Sequence, residues 1–113
     1  MNSPPLQNFR PVEFVSKDII RDMFNSKQYW ERVKAGELEA DVRKEGHPDP
    51  LHSREPLCTK SQYIVYRDPK GNIVASVHQY LRPDGSLGAS GKPDPKRIYT
   101  PNKIMAIRAK LNK

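Results

Sequence analysis

Two runs rich in β-branched and aromatic residues, Ser61 to Arg67 and Asn72 to Leu81, flank the turn sequence Asp68-Pro69-Lys70-Gly71, and no other stretch of this chain limits its folding so tightly. Val, Ile and Tyr suit a pleated, half-buried surface. Proline presets φ for the first turn position and glycine accepts a left-handed bulge position, so the runs predict a hairpin closed by a three-residue bulged loop. In that register Asp68 pairs with Asn72. Tyr63, Val65, Ile73, Ala75 and Val77 then share one face, the favoured core face, and Ile64, Tyr66, Val74, Ser76, His78 and Tyr80 share the other.

The segments around the hairpin are short. The chain has 113 residues, 35% of them hydrophobic, with eleven prolines, which fits one small domain with long loops. Residues 1–15 contain Pro4, Pro5 and Pro11 and read as an extended arm, and residues 16–113 read as the domain. Ser16 caps a helix over Lys17 to Phe24, where Ile19, Ile20, Met23 and Phe24 recur at helical spacing. Ser26 caps a second over Lys27 to Ala35, with Gly36 as its stop.

Leu38, Ala40 and Val42 alternate with charged residues as in a half-buried strand, and residues 44–60 read as a long irregular loop. Arg82-Pro83-Asp84-Gly85 is a second turn, leading to a short third strand near Ser86 to Ser90. Lys92-Pro93-Asp94-Pro95 reads as irregular, and Thr100-Pro101 opens a helix over Asn102 to Leu111 whose Ile104, Ile107 and Leu111 complete the core. The expected architecture is α+β: two short N-terminal helices, a small antiparallel sheet built on the central hairpin, and a short basic C-terminal helix.

Charge is distributed unevenly along this plan. From Lys92 to Lys113 there are seven bases and one acid, Asp94, so +6 of the formal +7 lies in the last 22 residues. Such a segment attracts polyanions. No run reaches the apolar length of a membrane span and the start lacks a signal-peptide profile, so a soluble, cytoplasmic protein is expected. A single cysteine, Cys58, excludes an internal disulfide.

Four residue groups carry candidate chemistry. The glycine-punctuated tract Gly85 to Gly91, followed by Lys92, Lys96 and Arg97, offers backbone amides and counter-charge to a phosphate, although it matches neither a Walker loop nor a dinucleotide fingerprint. His78, with Arg82 and Lys92 nearby in sequence, offers a general acid or base beside a developing phosphorane charge. The hairpin face with Tyr66, His78 and Tyr80 beside Arg67 offers rings for unpaired bases. His47, His52 and Cys58 supply zinc-ligand atom types, but their spacing is that of no zinc finger, so neither a metal nor a cofactor is assigned.

The stretch Gln79 to Lys96, with its Asp84-Gly85, its Gly88-Ala89-Ser90-Gly91 step and its Pro93-Asp94-Pro95-Lys96, resembles the tail of a group of short bacterial and phage-type proteins. No activity attaches to that group, so the resemblance implies none. The order of helices, antiparallel sheet and basic residues also resembles, at the level of fold, barnase-like and colicin-like toxin ribonucleases.

Together these readings favour a small protein that binds RNA or single-stranded nucleic acid. Phosphates would be neutralised by Arg67, Arg82, Lys92, Lys96, Arg97, Lys103, Arg108 and Lys110, with Tyr80 stacking on bases. The alternatives are a metal-independent ribonuclease using His78, Arg82 and Lys92, and an assembly subunit whose arm and basic tail wrap an acidic protein surface.

Overall fold

A six-stranded sheet organises the described residues, 10–108, of this computed structural model. In chain order the elements are β1 (Val12–Val15), α1 (Lys17–Ser26), α2 (Tyr29–Lys34), β2 (Glu39–Gly46), α3 (Pro50–Ser53), β3 (Lys60–Arg67), β4 (Ile73–Leu81), β5 (Asp94–Tyr99) and β6 (Ile104–Ile107). The strand order is β1-β6-β5-β4-β3-β2. Strands β2 to β6 form an antiparallel meander, and β1 adds to β6 in parallel.

This corrects the expected architecture in several places. The sheet is larger than foreseen and mixed, with three short helices, and α1 and α2 do not begin the fold but carry the chain from one edge strand, β1, to the other, β2. The arm expected over residues 1–15 is a paired strand from Val12 onward, while residues 1–9 lie outside the described residues. The basic C-terminal helix is replaced by β6, because Ile104 to Ile107 pair with both Arg97 to Tyr99 and Val12 to Val15. Three apolar residues at helical spacing were outweighed by two partner strands. Residues 109–113, which include Lys110 and Leu111, lie outside the described residues.

Proline was the other misleading signal. Lys92-Pro93-Asp94-Pro95 reads as irregular, yet β5 begins at Asp94 and Pro95 pairs with Val77. There β5 has a partner on one side only, since β6 pairs with Arg97, Ile98 and Tyr99. A strand with a free edge tolerates the missing N–H. The glycines of the expected third strand leave only an isolated bridge, Leu81 to Leu87.

The helices owe their limits to local groups. Ser16 accepts a hydrogen bond from the Ile19 N–H at 3.2 Å, as expected of an N-cap. Ser26, by contrast, ends α1 by donating to the Met23 carbonyl, and α2 starts only after Gln28 in left-handed conformation. Gly36, at φ 85°, closes α2, with its N–H on the Val33 carbonyl and that of Glu37 on the Arg32 carbonyl.

At the hairpin the turn forms in the expected register, with the Asp68 N–H on the Asn72 carbonyl at 2.9 Å and Arg67 opposite Ile73. Beyond it Tyr66 faces Ala75, not Val74, so β4 carries one extra residue. That bulge exchanges the partners of the expected faces. Ile64 and Tyr66 join Ala75 and Val77 against Ile20, Phe24, Tyr29, Leu38 and Ile98 in the core. Tyr63 and Val65 join Ser76, His78 and Tyr80 on the opposite face.

Burying Ile20 and Phe24 of α1 contributes about 1.5–3 kcal/mol each, which fastens the crossover onto the sheet. Ile98, fully buried in β5, lies at the centre of this packing. Ile98→Ala is expected to cost about 2–5 kcal/mol in urea unfolding. Val12→Ala, at a side chain 45% exposed, is expected to change stability by less than about 0.5 kcal/mol.

Candidate functional site

Pairing places Phe14, Ala106, Arg97, Ser76 and Val65 in one row across β1, β6, β5, β4 and β3, so they share a face. It is the face opposite α1 and α2. Residues two along the strands share it as well: Tyr99 and Ile104 on one side of the row, and His78 and Tyr63 on the other. Among the described residues no helix packs there, because α1 and α2 cover the core face and α3 buries none of its residues.

Two arginine and aromatic pairs flank Arg97 on this face. The Arg108 guanidinium lies 5.1 Å from the centre of the Phe14 ring, which is 52% exposed, and that of Arg10 lies 5.8 Å from the Tyr99 ring. Arg10 also donates to the Thr100 carbonyl at 2.7 Å. Neither pair can be found from local sequence, because β1 and β6 meet across the length of the domain.

The expected phosphate contacts divide by partner. Arg67 bonds to Asp41 at 3.2 Å, Lys96 to Asp94 at 3.0 Å, Lys103 to Glu13 at 2.6 Å, and Arg82 to the buried Glu55 at 2.8 Å. Each of the four has a carboxylate partner, although Asp41 also serves Arg43 and Asp94 also serves Arg21. Lys92 and Arg97 have no carboxylate partner among the described residues, and Arg108 has only its ring. Tyr66 is in the core, where burial raises its pKa, so it offers no surface ring; Tyr63 takes its place beside His78.

Sequence reading passed over Glu55, which shapes the glycine tract. Its carboxylate accepts from Arg82 at one oxygen and from the Ala89 N–H, at 2.7 Å, at the other. Ala89 is held in left-handed conformation at φ 52°, and a Cβ added at Gly88 would collide with the Glu55 carboxylate. The Gly88 N–H in turn reaches the Tyr80 carbonyl at 2.8 Å, which ties the tract to the end of β4. The glycine at 88 thus serves close packing, and the Arg82 Nε–H braces the Glu55 carboxylate.

Where β5 departs from β4, an open cleft of about 220 Å³ is lined by residues that include Arg21, His78, Tyr80, Lys92 and Asp94. The structure therefore brings His78 and Lys92 together but leaves Arg82, held by Glu55, outside the lining. His78 Nε2 is 2.7 Å from Ser61 Oγ, and its ring meets Tyr80 edge-on with centres 4.8 Å apart. Burial pushes the His78 pKa down, the Lys96 ammonium adds to this, and Asp94 partly opposes it. The imidazole is thus neutral at pH 7.

His47 is at 3.3 Å from the Thr59 carbonyl, His52 at 2.8 Å from Asp49, and Cys58 is exposed. Among the described residues no three metal-binding side chains converge, and no helix is long and apolar enough to cross a membrane.

The hydrogen bonds from Arg82 and then from the Ala89 N–H lower the Glu55 pKa below its ordinary 4.5. Its stabilising contribution is then complete above about pH 4.5 and is lost as pH falls through the lowered folded value. Glu55→Gln is expected to lower the unfolding midpoint at pH 7, and the gap from the wild type should narrow below pH 4. Gly88→Ala, which forces a methyl group against that carboxylate, is expected to cost about 1–3 kcal/mol in the same assay.

The chain matches no family model, and no curated protein and no solved structure is significantly similar to it.

Proposed function

We propose that this protein binds single-stranded nucleic acid, RNA in particular, on the helix-free face of its sheet. One observation carries the reading: Arg97, exposed and without a carboxylate partner among the described residues, lies between two arginine and aromatic pairs, Arg108 with Phe14 and Arg10 with Tyr99. Unpaired bases stack on aromatic and guanidinium planes while cations neutralise the backbone, and base stacking of this kind contributes about 1–3 kcal/mol per base. A duplex keeps its bases stacked on one another and gains nothing from such rings. Lys92, in the cleft at the end of β4, extends the cationic surface toward His78.

The contact surface differs from the one expected. It rests on Arg97, Arg108 and Lys92 with Phe14 and Tyr99, whereas Arg67, Arg82, Lys96 and Lys103 are engaged by carboxylates. Fluorescence anisotropy of a labelled single-stranded oligonucleotide, titrated at several salt concentrations, tests it. Affinity is expected to fall linearly in log Kd against log salt, and Arg97→Ala and Arg108→Ala should each reduce that slope by about 0.7. Lys103→Ala, which removes a cation already paired with Glu13, should leave the slope unchanged. No binding at low salt, or equal effects at Arg97 and Lys103, would refute the platform.

A further inference from the structure

We infer that the cleft between β4 and the 88–92 turn cleaves the RNA strand, with His78 as general base, Lys92 as proton donor and Ser61 selecting the reactive form of the imidazole. The inference rests on the proposed binding of RNA and adds a reaction to it. Ser61 and His78 are joined by the short Oγ to Nε2 contact of 2.7 Å. A neutral imidazole has one N–H, and when Nε2–H donates to Ser61 Oγ the lone pair is left on Nδ1. Nδ1 has no hydrogen-bond partner among the described residues. In that tautomer Ser61 acts as a positioning residue and Nδ1 is the free base.

The charged and titratable groups around the imidazole suit phosphodiester transfer. From β5 come Asp94, opposite His78, and Lys96; from α1 comes Arg21, 3.8 Å from Asp94; from the turn comes Lys92; and Tyr63 and Tyr80 flank the ring on β3 and β4. Arg21 carries five N–H donors and among the described residues makes only that long contact with Asp94, so a phosphate entering the cleft finds donors in reach. The lowered His78 pKa keeps the base unprotonated near neutrality.

The step balances without any added reactant. Nδ1 of His78 takes the proton of a ribose 2′-hydroxyl, and the 2′-oxygen attacks the adjacent phosphorus. The bond from phosphorus to the 5′-oxygen breaks, and that oxygen leaves with a proton from the Lys92 ammonium. A 2′,3′-cyclic phosphate and a 5′-hydroxyl end result. Solvent then removes the proton from His78 and returns one to Lys92. Arg21 and Lys92 stabilise the charge on the non-bridging oxygens.

The test uses the full chain, a chelator, a short labelled RNA, and the same oligonucleotide with 2′-deoxyribose throughout. RNA is expected to be cut to 2′,3′-cyclic ends, and the deoxy strand to bind and stay intact. His78→Ala should lower the rate by about 10²–10⁴-fold; His78→Gln serves if the alanine variant misfolds. The wild-type rate should rise with pH to a plateau, with a midpoint below 6.5. Ser61→Ala should depress kcat more than KM and displace that midpoint, and Ser61→Thr should restore both. RNA that is bound but never cut overturns the inference and leaves the binding reading standing. Cleavage that persists in the His78 variants, or that includes the deoxy strand, overturns it too. Loss of deoxy-strand binding counts against the platform instead.

Discussion

One extra residue in β4, just past the Asp68 to Asn72 turn, decides which side of this sheet faces α1 and α2 and which lies opposite them. Side chains alternate along a strand, so a shift of one position against its neighbour exchanges their relations. Without the bulge Tyr66 and Ile64 would face away from Ala75 and Val77, and the stripe that receives Ile20 and Phe24 would be broken. With it, two strands of unlike pattern present one continuous apolar surface to α1 and α2. The same shift assembles Tyr63, Ser76 and His78 on the far side.

The side opposite the helices is then refined by charge. Most cations of the sheet and its loops are engaged within the fold, and exposed pairs such as Lys103 with Glu13 contribute little to stability. Their effect is to subtract charge from parts of the surface. Among the described residues Arg97 and Lys92, like Lys44 and Arg54, keep no carboxylate partner, and Arg108 has only its ring. The Glu55 brace acts differently, because its carboxylate is only 6% exposed and is satisfied by a side chain and a backbone amide together. It sets the path of the glycine tract, and with it the wall of the cleft that holds Lys92.

Local signals carried the sequence reading as far as local chemistry reaches. The turn at Asp68 to Asn72, the Ser16 cap and the Gly36 stop are each determined by a few adjacent residues, and each forms as the sequence implies. The bulge at Val74 has no such marker, since Ile73, Val74 and Ala75 are all compatible with either face. Ile104 to Ile107 form an unbroken apolar run that suits a buried strand as well as a helix, and the deciding partner, Val12 to Val15, lies at the other end of the domain. Of the group His78, Arg82 and Lys92 that the sequence suggests, His78 and Lys92 line one cleft. Ser61, Arg21, Phe14 and Tyr99 were not legible, because each enters its site through tertiary pairing.

The parallel pairing of β1 with β6 has a consequence in time. Arg10 and its partner Thr100 are 90 residues apart, so bringing these strands together closes a loop spanning nearly all of the described fold. Contacts of such separation form late and slow the search for the native state. The local hairpin and the first helix precede them. Phe14 against Arg108, and Arg10 against Tyr99, therefore exist only once that closure is made, and a partly folded or still growing chain presents neither. These two pairs therefore belong to the last part of the surface that this chain completes.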